Sequence, residues 1–245
     1  MTDVSALNAA MAALAPAARL EAIRAAVPGR LVFTTSFGIE DQYLTHLIFE
    51  SGLTIDVVTL DTGRLFPETT TVWHETEMRY GKRIRAVYPE RAALETLIED
   101  QGIDGQYLSI AARKACCDVR KVEPLKRALA GAAVWITGLR ASQSANRSGM
   151  AFVARDDGFG LIKVNPLLDL SREAIVEATT AHNVPVNALH GRGFPSIGCA
   201  PCTRAIGPGE DERAGRWWWE SEDKKECGLH VTANGVPVRA IGVSA

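Results

Sequence analysis

The feature that most restricts the fold of this 245-residue chain is an alternation of short β-branched runs with longer segments of helical period. LVFTTSF, from Leu31, ends in a Ser-Phe-Gly turn and is followed by the helical EDQYLTHLIFES. TIDVVTL closes on Asp61-Thr62-Gly63, and Pro67 can open the next helix through TTTVWHETEMRYG. IRAVYP and AAVWITG read as two further strands, with helices between them from Arg91 and around Cys116 and Cys117. Strands separated by helices are crossover units, so the expected class is α/β with a mostly parallel central sheet flanked by helices. After Gly138 come a polar loop (RASQSANRSG), a hairpin-like pair in AFVARDDGFGLIKVN and a helix from Ser171 with Glu173 near its start.

The two ends differ from this pattern. ALNAAMAALAPAARLEAIRAAV is alanine-rich and carries arginines, as a transit peptide does, but Asp3 and Glu21 interrupt it and no positive segment precedes an apolar one. It reads as one amphipathic helix packed on the domain and ended by Pro28-Gly29. No run approaches the roughly 20 apolar residues needed to span a bilayer. A cytoplasmic protein with no membrane partner is the expectation. Beyond Val184 the chain is rich in Gly, Pro, Arg and Cys and poor in period, as befits a segment held by ligands or function. The last stretch, from Ser221, reads as a tail able to move.

Twenty-seven Lys+Arg against 29 Asp+Glu give a net charge of −2, which excludes a polycation held on nucleic acid by bulk charge and makes any anion site local. Five cysteines are an odd count, which argues against a fully paired secreted framework and for metal ligands, a reactive thiol, or both.

Four constellations can carry chemistry. TTSFGIEDQ places Ser36 and Gly38 between a strand and a helix N-terminus, where unpaired N–H groups receive phosphate or sulfate, although ordinary capping gives the same pattern. LDTGRLFPET puts Asp61 and Thr62 at the carboxyl end of a parallel strand, where open α/β sheets bind ligands; a plain turn and cap is the alternative. Cys116-Cys117 and Cys199-Ala-Pro-Cys202 together match four ligands of one inorganic centre. A redox pair at 199 and 202, or inert thiols at 116 and 117, each explains one pair and leaves the other. Adjacent cysteines, with Cα atoms about 3.8 Å apart, are awkward ligands for one zinc and suit a cluster in which each takes its own iron, so [4Fe-4S] is favoured. The fifth, Cys227 in KKECGLH, has Lys224, Lys225 and His230 to favour thiolate, with Glu226 opposing. Last, Lys121, Arg140, Arg204, Arg213 and Arg216 are cations placed to recognise phosphate or sulfate oxygens. Trp217-Trp218-Trp219 follows Arg216 and reads first as a hydrophobic anchor, second as a lid or docking surface.

Taken in order, TSFGIEDQ, LDTGRLFPET, CCDVRKVEPL, TGLRASQS, KVNPL, GCAPCTR, GEDERAGRWWWE and KECGLH closely resemble the assimilatory adenosine 5′-phosphosulfate (adenylyl-sulfate) reductases of bacteria and plants, from about Leu31 to His230. The resemblance implies an adenine nucleotide α-hydrolase-like fold with a modified PP-loop. The ATP-pyrophosphatase relatives typically carry SGGxDS, and SFGIED here suits a sulfonucleotide better. By matched motifs, Cys116, Cys117, Cys199 and Cys202 would hold the [4Fe-4S] cluster and Cys227 would be the nucleophile. Arg140, Arg213 and Arg216 would contact the phosphosulfate, and Lys121 would sit between cluster and substrate. Ser36, Gly38, Asp61, Thr62 and His230 complete the expected substrate site. The domain division that follows is a nucleotide-binding reductase domain over residues 1–205, with the N-terminal helix and the cluster loop, and a mobile segment over 206–245.

The implied reaction is attack of the Cys227 thiolate on the sulfur of adenosine 5′-phosphosulfate, loss of AMP, and release of sulfite from an S-sulfocysteine by thioredoxin or glutaredoxin. The chain ends too soon after His230 to hold a fused thioredoxin-like domain, so a separate partner is expected. LFPET, with Phe66, replaces the LHPET common in the family, a departure that touches no central role. The nearest rival is reduction of 3′-phosphoadenosine 5′-phosphosulfate; a tRNA-thiolating PP-loop enzyme and a zinc-stabilised binding module stand further off. A homo-oligomer is left open.

Overall fold

A computed structural model of the chain describes residues 2–144 and 147–221. Six strands form one sheet in the order β3-β2-β1-β4-β6-β5. They are β1 (Arg30–Thr35), β2 (Asp56–Leu60), β3 (Arg85–Val87), β4 (Ala132–Ile136), β5 (Val153–Asp156) and β6 (Leu161–Val164). All neighbours are parallel except β5 and β6, which form the hairpin read from the sequence. Gly160, with φ +67°, lets that turn close, its N–H donating to the Asp156 carbonyl at 2.8 Å.

The two-residue period of each strand sorts its side chains onto two cores. Leu31 and Phe33 of β1, Val57 of β2, and Val134 and Ile136 of β4 face one core, with α3 (Ile39–Ser51) and α8 (Arg172–Ala181) among the helices that cover it. Val32, Val58 and Trp135, offset by one residue, face the other, under α7 (Glu123–Leu129). A sheet buried on both faces explains why its strands read as near-continuous apolar runs rather than an alternation.

The N-terminal segment departs from the single helix expected. It is two helices, α1 (Val4–Met11) and α2 (Pro16–Ala26), with a break over residues 12–15. Pro16 is the cause: it has no N–H to continue a helix and drives Ala15 to extended backbone (ψ 157°), yet is well placed as the first residue of a new one. Arg19 fixes the bend. Only 2% exposed, it donates to the Met11 carbonyl that ends α1 (2.9 Å) and makes a bidentate pair with Asp169 at 2.6 and 2.8 Å.

The remaining helices are α4 (Pro67–Tyr80), α5 (Arg91–Gln101) and α6 (Ile110–Cys117). Between α6 and α7 the helix does not stop but widens into a π turn over Asp118–Val122. Pro124, just inside α7, cannot donate to the carbonyl four residues back, and the wider turn absorbs the misfit. The cysteine pair, Arg120 and Lys121 therefore sit at an irregular point of the helix. No helix among the described residues is long and apolar enough to cross a membrane.

Residues 206–221, beyond the boundary drawn from sequence, are irregular and pinned at several points. Arg204 N donates to Gly215 O at 3.0 Å and Trp217 N to Cys202 O at 3.2 Å. Glu220 receives Arg113 of α6 in a bidentate pair at 3.0 and 2.6 Å, with both side chains buried.

Candidate active site

The carboxyl ends of β1, β2 and β4 open into a cleft of about 200 Å³, the place where an open parallel sheet leaves room for a ligand. Its first wall is the turn after β1. Phe37 holds a left-handed backbone (φ 60°), its N–H donates to Thr35 Oγ1 at 3.0 Å, and its buried ring stacks on Trp73 with centroids 5.6 Å apart. Trp217, which also lines the cleft, is likewise left-handed (φ 41°). Strain of this sort persists where surrounding packing over-determines it, and both residues are fully buried.

Asp41, in the first turn of α3, takes the Ser36 N–H at 2.6 Å and the Ser36 hydroxyl at 2.8 Å. Burial raises its carboxyl to about 6, against the lowering effect of those two bonds, and Glu40 adds to the rise. Gly138, past the end of β4, leaves room for Asp41: a Cβ there would lie 2.2 Å from Asp41 Oδ1 and displace that side chain. Asp41 was not singled out in the sequence, where an acid in the first turn of a helix reads as ordinary dipole chemistry.

The turn after β2 divides the two residues expected to act together. Thr62 is buried, lines the cleft, and places its hydroxyl 3.3 Å from Cys199 Sγ. Asp61 is not among the residues lining the cleft; its carboxylate accepts the Gly63 N–H at 2.9 Å and closes its own turn.

A second cavity, of about 20 Å³, adjoins the first and is walled by Cys116, Cys117, Cys199 and Cys202. None of the four is in a disulfide. Cys199 and Cys202 flank a 3-10 turn whose Ala200 N–H donates to the Arg64 carbonyl at 2.8 Å, and the Tyr107 hydroxyl donates to the Pro201 carbonyl. Among the described residues no three His, Cys, Asp or Glu side chains converge closely enough to hold a single metal ion. Burial pushes the Cys202 thiol up to about 11 and raises Cys116 as well. It acts on Cys199 too, but Lys121, the Thr62 hydroxyl and Arg216 outweigh it and draw that thiol below its ordinary value.

Lys121, Cys199 and Trp217 wall both cavities. Arg213 and Arg216 line the cleft, together with Ser36, Gly38 and Lys121. The Arg216 guanidinium lies over the Trp217 ring at 4.7 Å and so close to Gly198 that a Cβ there would meet it at 2.2 Å. Arg204 instead pairs with Glu210 at 2.6 Å and does not line the cleft.

Arg140 is placed differently from the expected substrate contact. It is 1% exposed, is not among the lining residues, and donates to Glu40 at 2.8 Å, to Glu212 at 2.8 and 3.0 Å, and to Ser142 at 2.6 Å. Burial disfavours its charge, yet Glu40 and Glu212 outweigh that and raise its pKa. It thereby ties the end of β4 to the start of α3 and to the 206–221 segment. Glu40, Glu212, Gln143 and Arg147 also line the cleft and were not picked out from sequence. Nothing marks Glu40 and Glu212 in one sequence, because their partner Arg140 lies 100 and 72 positions away along the chain. Cys227 and His230 lie outside the described residues.

Comparison with known proteins gives the following similarities. Residues 30–205 match the family model described as the phosphoadenosine phosphosulfate reductase domain. The chain is 55% identical over 229 residues to the adenosine 5′-phosphosulfate reductase of Sinorhizobium fredii (strain USDA 257), covering 94% of this chain and 91% of that one. Among solved structures it superposes on the phosphoadenylyl-sulfate reductase of Candida auris, in a phosphate complex, with a TM-score of 0.71 at 24% identity, covering 80% of this chain and 94% of that one. Yeast FAD synthetase in complex with FAD shares the fold more distantly, with a TM-score of 0.52 at 17% identity over 84% of this chain and 69% of that one.

Proposed function

This chain belongs to the phosphoadenosine phosphosulfate reductase family, and from that premise we propose that it reduces adenosine 5′-phosphosulfate to sulfite and AMP in sulfate assimilation. The observation that carries the reading is the sharing of Lys121, Cys199 and Trp217 between a strand-end cleft and a four-cysteine cavity. The name of the Sinorhizobium relative supports the 5′-phosphosulfate as substrate.

The four cysteines fit an iron–sulfur cluster. Among the described residues their cavity has four thiols and neither a carboxylate nor an imidazole in its wall, and the buried indole N–H of Trp217, which walls it, meets no acceptor there. Such a cluster, when bound, would join α6 to the Cys199–Cys202 turn and set the field beside the cleft.

The chain's own residues would do the rest. Ser36, held by Asp41, with Gly38 and Thr62 positions the nucleotide, while Lys121, Arg213 and Arg216 offset the charge of the phosphosulfate and of the departing phosphate. The Cys227 thiolate attacks the sulfur. An S–S bond forms, the bond from that sulfur to the bridging phosphate oxygen breaks, and AMP leaves with the electron pair. A thioredoxin or glutaredoxin thiolate then attacks Cys227 Sγ and displaces sulfite, and its second thiol resolves the mixed disulfide, so the two electrons come from the dithiol. In this scheme residues 1–205 form the nucleotide domain and 206–245 carry the nucleophile, with His230 beside the substrate.

The test is kcat/KM for adenosine 5′-phosphosulfate against its 3′-phosphorylated form, with thioredoxin as reductant. Preference for the first is expected. Preference for the second overturns the substrate assignment.

A further inference from the structure

We propose that the exposed apolar face formed by Ile103, Tyr107, Leu108 and Trp218 is the docking surface for the protein dithiol that reduces the enzyme. Leu108 is 73% exposed, Ile103 60%, Tyr107 43% and Trp218 40%. Ile103, Tyr107 and Leu108 fall within six residues of one another in the chain, and the Tyr107 ring lies 6.3 Å from Trp218, so these exposed side chains are grouped rather than scattered.

The face is built rather than loose. The Tyr107 ring packs edge-on against Trp219 at 4.6 Å and lies 6.3 Å from Trp218, and the two indoles meet at 4.8 Å. The Tyr107 hydroxyl is held by the Pro201 carbonyl, and the Arg64 guanidinium clamps the Ile103 carbonyl at 2.6 Å and Asp104 at 2.7 Å. These bonds place the face next to the Cys199–Cys202 turn. Rigid aromatic anchors that lose little freedom on binding are what a transient interface uses.

The occupant follows from the chain beyond the described residues. Trp218 lies three positions before Ser221, and Cys227 follows Ser221 by six, so Cys227 stands within about 30 Å of Trp218 even if every intervening residue is extended. The inference rests on the reading of Cys227 as the nucleophile. On that reading a dithiol protein must bring one thiolate to Cys227 Sγ, form a disulfide with it as the bond to sulfite breaks, and return Cys227 as thiolate when its second thiol attacks. The four described cysteines are assigned to the second cavity, so these two electrons come from another protein inside that radius. A small redox protein with apolar surface around its reactive cysteine fits, and redox encounters sit at the small end of interface sizes.

The experiment uses an Ile103→Ser/Leu108→Ser double variant of the full chain, two exposed positions that line neither cavity, with purified thioredoxin as the probe. KM for thioredoxin is expected to rise at least fivefold, while turnover with dithiothreitol and the single-turnover release of AMP without reductant stay at the wild-type level. Met78→Ser, at an equally exposed position on α4, is expected to leave KM unchanged. An unchanged KM in the double variant overturns the docking surface. So does hydrogen-exchange protection of residues 103–108 that is present without thioredoxin and vanishes when residues 231–245 are removed, since the chain itself would then cover the face. Absence of reductant-free AMP release in the wild type would instead overturn the nucleophile reading, so the two failures are distinct.

Discussion

Replacing Arg140 by methionine separates two roles that one arginine can play at this site. The guanidinium is 1% exposed, and the carboxylates it serves, Glu40 and Glu212, are 9% and 19% exposed at their side chains. Removing one partner of a buried ion pair costs about 3–5 kcal/mol, because the remaining charge is left without compensation. Glu212 keeps Arg172 at 3.3 Å, so most of the loss falls on Glu40 and the total stays inside that range. For a chain of this size the corresponding fall in melting temperature is roughly 10 °C. The assay is urea denaturation of Arg140→Met beside the triple variant that also carries Glu40→Gln and Glu212→Gln. The triple variant is expected to recover at least half of the lost stability and of the nucleotide affinity, because no charge is then stranded. If Arg140→Met loses less than about 1 kcal/mol while KM for the nucleotide rises and the triple variant restores nothing, the guanidinium serves the substrate and the placement argued from the structure is wrong.

Other outcomes follow from the same geometry. Asp41 titrates near 6 in the folded chain, above the ordinary aspartate value, so its contribution to stability is present below about pH 4 and is lost as pH rises through 6. Asp41→Asn should therefore gain stability relative to wild type between pH 4.5 and 7 in paired urea melts; a pH-independent difference would refute the shift. Gly138→Ala pushes a methyl onto Asp41 Oδ1 and should displace the Ser36 turn, raising KM for the nucleotide about tenfold and costing about 1–3 kcal/mol; unchanged kinetics would show that the turn does not hold the substrate. Cys199→Ser removes one of four cluster ligands and should lower iron content and visible absorbance near 400 nm together with activity; a variant with full iron would free Cys199 from that role.

What the sequence discloses and what it hides divide along physical lines. Every strand and most helices are legible, because a sheet covered on both faces needs apolar runs at β-branched positions and its crossovers need helical period. Ser36 and Gly38, Thr62, Lys121, Arg213 and Arg216 are legible as cleft residues because small turns at strand ends and cations near cysteines are local signals. The break at Pro16 and the π turn before Pro124 turn on the missing proline N–H, whose consequence depends on what the neighbouring helix packs against. Glu40, Glu212 and the burial of Arg140 are not legible, since each owes its role to a partner brought close only by folding, whereas Asp41, bonded to Ser36 five residues earlier, is hidden because an acid at a helix start reads as ordinary dipole chemistry. Asp61 shows the converse: a motif at the right strand end spends its carboxylate on its own turn.

The central claim is that a single thiol takes the sulfur of the substrate before any reductant arrives. The most direct measurement mixes the reduced, desalted full chain with adenosine 5′-phosphosulfate in the absence of a dithiol and follows AMP release and the mass of the Cys227 peptide. A burst of one AMP per chain with no free sulfite is expected, with the mass of one SO₃ group added at Cys227, and both the burst and the added mass are expected to be absent in Cys227→Ser. A burst that persists in Cys227→Ser, or AMP that appears only once thioredoxin is added, would contradict the claim.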